Sequence, residues 1–216
     1  MKIRTIAITG NPNCGKTTLF NGLTGSNQRI GNWPGVTVEK IEGIMKHDSG
    51  DIKIIDLPGI YSLSAFSEDE RVSREYLMSR NADLVVNIVD ASNLERNLYL
   101  TTQIMELKVP MIIILNRIDM AEKQNKVIDI EILSVQLGCP VIEAVATKKD
   151  DIEKIKDKLI PFIGKVAPSS RRIDFPNEIN EVISKWTDSL KNINPADSPD
   201  PAWAAIKILE KDHRLT

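Results

Sequence analysis

Cysteine is scarce in this sequence. Cys14 and Cys139 are the only two, too few for a disulfide framework or a four-thiolate metal site. Histidine is as rare, with only His47 and His213, which argues against a transition-metal centre. Long apolar runs are missing as well. The longest, Val109 to Leu115, is about seven residues, against the roughly 20 that a helix needs to cross a bilayer. This stretch is therefore not expected to form a channel or transporter by itself. Nor does one sign of charge dominate: 28 Lys+Arg against 30 Asp+Glu give a net charge of −2, which disfavours a nucleic-acid surface working by bulk positive charge. Met1-Lys2-Ile3-Arg4 lacks the apolar core of a signal peptide, so a reducing cytosolic setting is expected. What remains is ordinary globular composition, 42% hydrophobic and 27% charged over 216 residues, enough for one main domain and an appendage.

Short Ile- and Val-rich runs alternate with helical patterns from residue 3 to about residue 163. Ile3–Thr9, Ile52–Asp56, Leu84–Asp90, Met111–Asn116 and Val141–Ala144 read as buried strands, each followed by a turn. Helices are expected over Lys16–Leu23, Glu68–Met78, Leu94–Leu107, Ile130–Leu137 and Ile152–Ile163. Ser67-Glu68-Asp69-Glu70 fits a capping box, and Asp150-Asp151 an acidic helix start. Val38–Lys46 faces Ile52–Ile55 across His47-Asp48-Ser49-Gly50 and reads as an antiparallel hairpin at the sheet edge. The fold expected is α/β, a mostly parallel sheet with helices on both faces.

The strand signal stops near residue 164. Gly164 to Arg172 reads as a polar linker, with Arg171-Arg172 on its solvated surface. Ile179, Val182, Ile183, Trp186 and Leu190 then recur at helical spacing, and Trp203, Ile206, Lys207 and Leu209 do so less cleanly. Asn194 to Pro201 cannot be helix interior. The division expected is 1–165 and 166–216, the second a small α-helical domain. Two helices bury little surface alone, so it must pack on the first domain or continue beyond this sequence.

Gly10-Asn11-Pro12-Asn13-Cys14-Gly15-Lys16-Thr17 matches G-x-x-x-x-G-K-[ST] between an apolar strand and a helix. A polyphosphate needs many donors without bulk, and successive backbone N–H groups at a helix N-terminus supply them. Lys16 would reach the β- and γ-phosphates, and the Thr17 hydroxyl would coordinate Mg²⁺. Asp56-Leu57-Pro58-Gly59 ends a strand. Asp56 can hold the Mg²⁺ shell and the Gly59 N–H can bond a γ-phosphate. Asn116-Arg117-Ile118-Asp119 ends another strand. Asp119 can accept two N–H bonds from the guanine edge, for which adenine has no matching donor pair, and Asn116 can tie this loop to the phosphate loop. The last base element would be Ala146-Thr147-Lys148, where a backbone N–H would meet guanine O6. Ile60 directly after Gly59 cannot orient a water, so hydrolysis without help is expected on the order of 10⁻⁴ to 10⁻² s⁻¹.

With these motifs, four stretches carry a resemblance: Gly10 to Asn21, Gly31 to Glu39, Asp56 to Leu63 and Val89 to Leu100. The chain resembles the N-terminal cytosolic GTPase domain of the FeoB family of bacterial ferrous-iron transporters, well over about residues 1–163 and weakly beyond. The resemblance implies a Ras-like P-loop GTPase fold, and a C-terminal domain of the kind that favours GDP binding. It makes Lys16, Thr37 and Gly59 the catalytic set, with Thr37 closing on Mg²⁺ and γ-phosphate. Gly31-Asn32-Trp33-Pro34-Gly35 would be the loop that swings with Thr37. Gly10, Asn11, Pro12, Asn13, Cys14, Gly15, Lys16, Thr17 and Thr18 would bind phosphate, and Asn116, Arg117, Asp119, Ala146, Thr147 and Lys148 the base. Mg²⁺ would sit on Thr17, Thr37 and Asp56. An activating K⁺ would sit on carbonyls near Gly31 and Trp33 with the Asn13 side chain, where an arginine finger acts in other GTPases. The setting implied is the cytoplasmic face of the bacterial inner membrane, with GTP or GDP and an attached membrane-spanning part as partners. Nucleic acid is not expected as a partner, and homo-oligomerisation is left open.

Two other readings stand beside this one: a non-hydrolysing GDP/GTP-binding regulatory module, and a ribosome- or tRNA-associated bacterial GTPase. Cys14 reads as a small loop residue whose thiol the helix N-terminus could acidify, and Cys139 as core. Glu68-Asp69-Glu70 reads as a helix start rather than an iron site.

Overall fold

A computed structural model of the chain describes residues 3–25, 28–145, 149–191 and 200–212, with the backbone alone at 149 and 150. Seven strands make one sheet: β1 (Arg4–Gly10), β2 (Gln28–Asn32), β3 (Glu39–Met45), β4 (Ile52–Asp56), β5 (Leu84–Asp90), β6 (Met111–Asn116) and β7 (Val141–Ala144). Their order is β2-β3-β4-β1-β5-β6-β7. The five strands from β4 to β7 run parallel, and β3 pairs antiparallel with both β2 and β4. The helices are α1 (Lys16–Thr24), α2 (Glu68–Met78), α3 (Leu94–Glu106), α4 (Ile118–Lys123), α5 (Ile130–Leu137), α6 (Lys149–Leu159), α7 (Asn177–Lys191) and α8 (Pro201–Leu209).

Successive strand residues point to opposite faces, so each central strand feeds two cores. Ile6 and Ile8 of β1, Val86 and Ile88 of β5, and Ile112 and Ile114 of β6 pack with Leu19, Phe20 and Leu23 of α1 and Ile152 and Ile155 of α6. Ala7, Val85, Val89, Ile113 and Leu115 face the other way, towards Val72 and Leu77 of α2 and Leu100 and Ile104 of α3. The sheet with helices on both faces is thus as the sequence indicates. Ser67 caps α2 by accepting from the Glu70 N–H at 3.1 Å. Glu70 itself accepts from the Phe66 N–H at 3.1 Å and so reaches one residue further back than in a capping box.

Several expectations need correction. The Val38–Lys46 ribbon is not the sheet edge. β2 lies outside it, with Gln28, Arg29, Ile30, Gly31 and Asn32 all exposed. Gly31 and Asn32 therefore belong to a strand, not to a loop, and the turn is confined to residues 33–38, closed by Trp33 N–H to Val38 O at 3.0 Å. α4 was not expected. The helix expected over Ile152–Ile163 starts at Lys149 and ends at Leu159, followed by a 3₁₀ turn over Ile160–Phe162.

The segment expected as a solvated linker is strapped to the sheet domain. Ser169 is buried and its hydroxyl donates to Leu137 O at 2.7 Å. Lys108 Nζ donates to Ser169 O and Arg171 O, and Arg171 Nε donates to Val135 O at 3.1 Å. α8 is docked through Trp203, 1% exposed and part of the α2–α3 core. Pro201 opens this helix and Asp200 caps it, accepting from the Ala202 and Trp203 N–H groups. α7 lies against α8 with no fully buried side chain, and a cavity of about 380 Å³ opens between α3, α7 and α8. No helix among the described residues is long and apolar enough to cross a membrane.

Candidate functional site

Parallel strands bring their C-terminal ends to one side of the sheet, and a site builds at the loops that follow them. β1 runs into the phosphate-loop motif, β4 into Asp56–Gly59, and β6 into Asn116–Asp119. Asn11, Pro12, Asn13, Gly15, Lys16, Thr17, Thr18, Gly59 and Arg117 line a cleft of about 470 Å³. A second cleft of about 210 Å³ beside it is lined by Lys16, Val38, Glu39, Ile41, Asp56, Leu57, Pro58, Gly59 and Asp69. Lys16 and Gly59 belong to both.

Lys16 Nζ meets Asp56 Oδ1 at 2.6 Å across the two clefts. Burial pushes the Asp56 carboxyl above its ordinary value, while Lys16 pulls it down. The Lys16 ammonium thus partly offsets the cost of burying the Asp56 carboxylate. Gly15 holds φ at 101°, and a Cβ there would come within 2.2 Å of Asn116 Nδ2, so this position demands glycine. The Asn116 amide donates to Cys14 O at 2.8 Å and ties the two loops together as expected. The Ile60 N–H donates to Gly10 O at 3.2 Å and Leu57 N–H to Ile8 O at 2.9 Å, which fixes the Asp56–Gly59 loop against β1. Asn11 is 3% exposed, and both of its side-chain amide atoms lack a partner among the described residues. Asp119 sits in the first turn of α4, and among the described residues its carboxylate has no hydrogen-bond partner.

Not every candidate comes to the clefts. Thr37 is exposed at the bend between β2 and β3 and lines neither. Gly31 is paired with Lys40 across the β2–β3 ribbon. The Trp33 ring is buried edge-on to Tyr76, 5.3 Å between centroids, with Lys40 Nζ 4.9 Å over its face. The set implied for K⁺ therefore does not assemble in this arrangement: Asn13 lines the phosphate cleft, and Gly31 and Trp33 do not. Ile60 is 2% exposed and turned into the core. Ala146, Thr147 and Lys148 lie outside the described residues. The Cys14 thiol is not acidified by the helix N-terminus. Burial wins and pushes it up to about 11, and burial likewise pushes Cys139 up to about 12.

Sequence reasoning missed two features. Asp69 lines the smaller cleft as well as opening α2. Asp90, at the end of β5, binds Arg117 Nη1 at 2.8 Å. The second residue of the base motif was thus legible, but its partner, 27 positions earlier, was not.

The family described as Ferrous iron transport protein B (FeoB_N) matches residues 4–159. The Fe(2+) transporter FeoB of Escherichia coli (strain K12) is 45% identical over 218 residues, covering 98% of this chain and 27% of that protein. The FeoB of Salmonella typhimurium is 53% identical over 160 residues, 72% of this chain and 21% of that protein. The chain spans about a quarter of the length of these relatives. Among solved structures, the cytosolic domain of T. maritima FeoB in a GDP form is 36% identical with a TM-score of 0.91, over 100% of this chain and 83% of that one. A variant NFeoB of S. thermophilus bound to GDP is 42% identical with a TM-score of 0.87, over 99% of this chain and 82% of that one. From the strand order, the phosphate loop and these matches together, the chain belongs to the FeoB_N family, the N-terminal part of ferrous iron transport protein B.

Proposed function

We propose that the chain is a guanine-nucleotide-binding switch that hydrolyses GTP slowly to GDP. In a longer protein like its relatives, it would regulate Fe(II) uptake by a membrane-spanning part from the cytoplasmic face of the inner membrane. The observation that supports this best is the Lys16–Asp56 contact of 2.6 Å between two loops already pinned to each other. A bound nucleotide would replace that contact. Lys16 would turn to the β- and γ-phosphates, the phosphate-loop N–H groups would hold the rest, and Asp119 would accept from the guanine N1 and N2 groups. The exposed hydroxyl of Thr17 and the buried carboxylate of Asp56 are hard oxygen donors that suit Mg²⁺, which when bound neutralises charge on the β- and γ-phosphate oxygens. The Gly59 N–H would bond a γ-phosphate, so the loop after it would sense which nucleotide is present. Thr37 would join only if the 33–38 turn moved in. K⁺ activation rests on the resemblance.

Phosphate release from GTP, with ATP as control and in K⁺ against Na⁺, tests the reading. Consumption of GTP but not ATP is expected, faster in K⁺. GDP binding without phosphate release would favour a non-hydrolysing module, for which Ile60 speaks, since the residue directly after Gly59 is apolar and turned into the core. Family membership favours both readings over a ribosome-associated GTPase. In the longer protein, Lys16→Ala is expected to abolish Fe(II) uptake.

A further inference from the structure

Asp90 is a buried carboxylate that the proposed chemistry does not use. It ends β5 in register with Asn116, the residue that ends β6 and ties the base loop to the phosphate loop. Its side chain is 7% exposed. Oδ1 accepts from both the Ser92 N–H at 2.9 Å and the Ser92 hydroxyl at 2.6 Å, inside the 3₁₀ turn Ala91–Asn93. Its own N–H donates to Asn97 Oδ1 at 3.2 Å, and Asn97 Nδ2 donates to Asn93 O at 2.9 Å. Lys126 Nζ, from beyond α4, closes on Ser92 O at 2.5 Å. The carboxylate is therefore held in one orientation from β5, the 3₁₀ turn and the start of α3.

The Asp90 oxygen left over, Oδ2, takes Arg117 Nη1 at 2.8 Å. Arg117 is 43% exposed, lines the phosphate-loop cleft, and adopts φ 62° immediately before the turn that carries Asp119. A long side chain in a left-handed residue has many rotamers to choose from. A fixed carboxylate selects one and keeps the guanidinium at the cleft that Arg117 lines. Asn116 ties this loop to the phosphate loop, and Asp90 ties it to the end of β5.

We propose that Asp90 is a positioning residue for the nucleotide site: by holding Arg117 it sets how long a guanine nucleotide stays bound. This rests on the guanine-nucleotide reading above. Because Arg117 comes two residues before Asp119, the group proposed for the base, the pair should act on di- and triphosphate alike, unlike Gly59, whose N–H is proposed for the γ-phosphate.

The test is the dissociation rate of fluorescent GDP and GTP analogues from the wild-type chain, Asp90→Asn, Arg117→Met and the double variant. Asp90→Asn should speed release of both nucleotides about tenfold, the scale of losing one charge-assisted hydrogen bond at the site. Arg117→Met, at a part-exposed site, should do the same with the fold intact even if Asp90→Asn folds poorly. The double variant should release no faster than Arg117→Met alone. Three results would overturn the proposal: unchanged release from Arg117→Met, an effect confined to one nucleotide, or a full Asp90→Asn effect persisting in the Arg117→Met background, which would make Asp90 merely structural. Failure of the wild-type chain to retain GDP over ADP would instead overturn the guanine reading beneath it.

Discussion

The loops that face the clefts and the two pieces attached outside them are secured in different ways. The loops hang from β1, β4 and β6, with β5 buried along its whole length between β1 and β6, and cross-ties join them: Asn116 to Cys14, Ile60 to Gly10, Arg117 to Asp90 at the end of β5. The turn between β2 and β3, and α8, are each anchored by one buried tryptophan. Trp33 is 9% exposed against Tyr76, and Trp203 is 1% exposed in the α2–α3 core with the Arg74 guanidinium 4.9 Å over its ring. Neither indole N–H has a partner among the described residues, so ring area rather than the polar tip does the holding. The two anchors are not equal. Trp203 is backed by the Arg74–Asp212 ion pair, whereas Trp33 secures a turn beside β2, a strand exposed throughout. The frame is over-determined and the ribbon is not. The piece that bears Thr37 can therefore be displaced at small cost while the phosphate loop stays fixed.

Gly15→Ala strikes the frame most directly, because the new methyl would collide with Asn116 Nδ2 at 2.2 Å. GDP affinity measured by calorimetry should fall by about a hundredfold or more, the scale of losing preorganised donors to an anion, with secondary structure retained by circular dichroism. Wild-type affinity would break the idea that these loops are rigidly pinned. Trp203→Ala should cost about 3–5 kcal/mol in urea unfolding, the range for truncating a buried aromatic. Ile8→Ala, 0% exposed in β1, should cost about 2–5 kcal/mol, and Ile30→Ala, 68% exposed on β2, no more than about 0.5 kcal/mol. Equal costs for the two isoleucines would erase the contrast between frame and ribbon. Trp33→Ala should cost about 2 kcal/mol, below the range for a fully buried aromatic because its ring keeps an exposed edge, and should open residues 33–38 to limited proteolysis.

The same contrast explains what the sequence made legible. β4, β5, β6 and β7 and helices α2 and α5 lie where their apolar runs and caps place them, because burial on both faces leaves a continuous Ile/Val signal. β2 has one aliphatic residue, Ile30, and no buried face, so pairing with β3 alone makes it a strand and no periodicity could show it. α4 has six residues, too short for a period. α8 was blurred by Lys207, a charged residue at a core position, which 0% exposure and a 2.6 Å contact to Glu210 account for. Lys16, Thr17 and Gly59 lie at the clefts where their motifs at the strand ends place them, and Asn116 ties its loop to the phosphate loop. The position of Thr37 was not legible, since it depends on where the ribbon lies rather than on which residues compose it.

The smallest effect concerns Glu106, in the last turn of α3, where it meets α8. Burial pushes its carboxyl up to about 7, outweighing the attraction of Lys207 and Lys108, while Glu210 adds repulsion. The folded chain therefore holds a proton that the unfolded chain releases near the ordinary value of 4.5. Stability from this group is full below about 4.5 and is lost as pH rises through about 7. Partial access to water from the cavity it lines keeps the effect near 1 kcal/mol. Glu106→Gln should flatten the fall in urea stability between those two values, and Ile30→Ala should leave the slope untouched. If Glu106→Gln keeps the wild-type slope, the Glu106 charge at the α3–α8 junction is solvated in the folded chain and does not oppose the docking of α8.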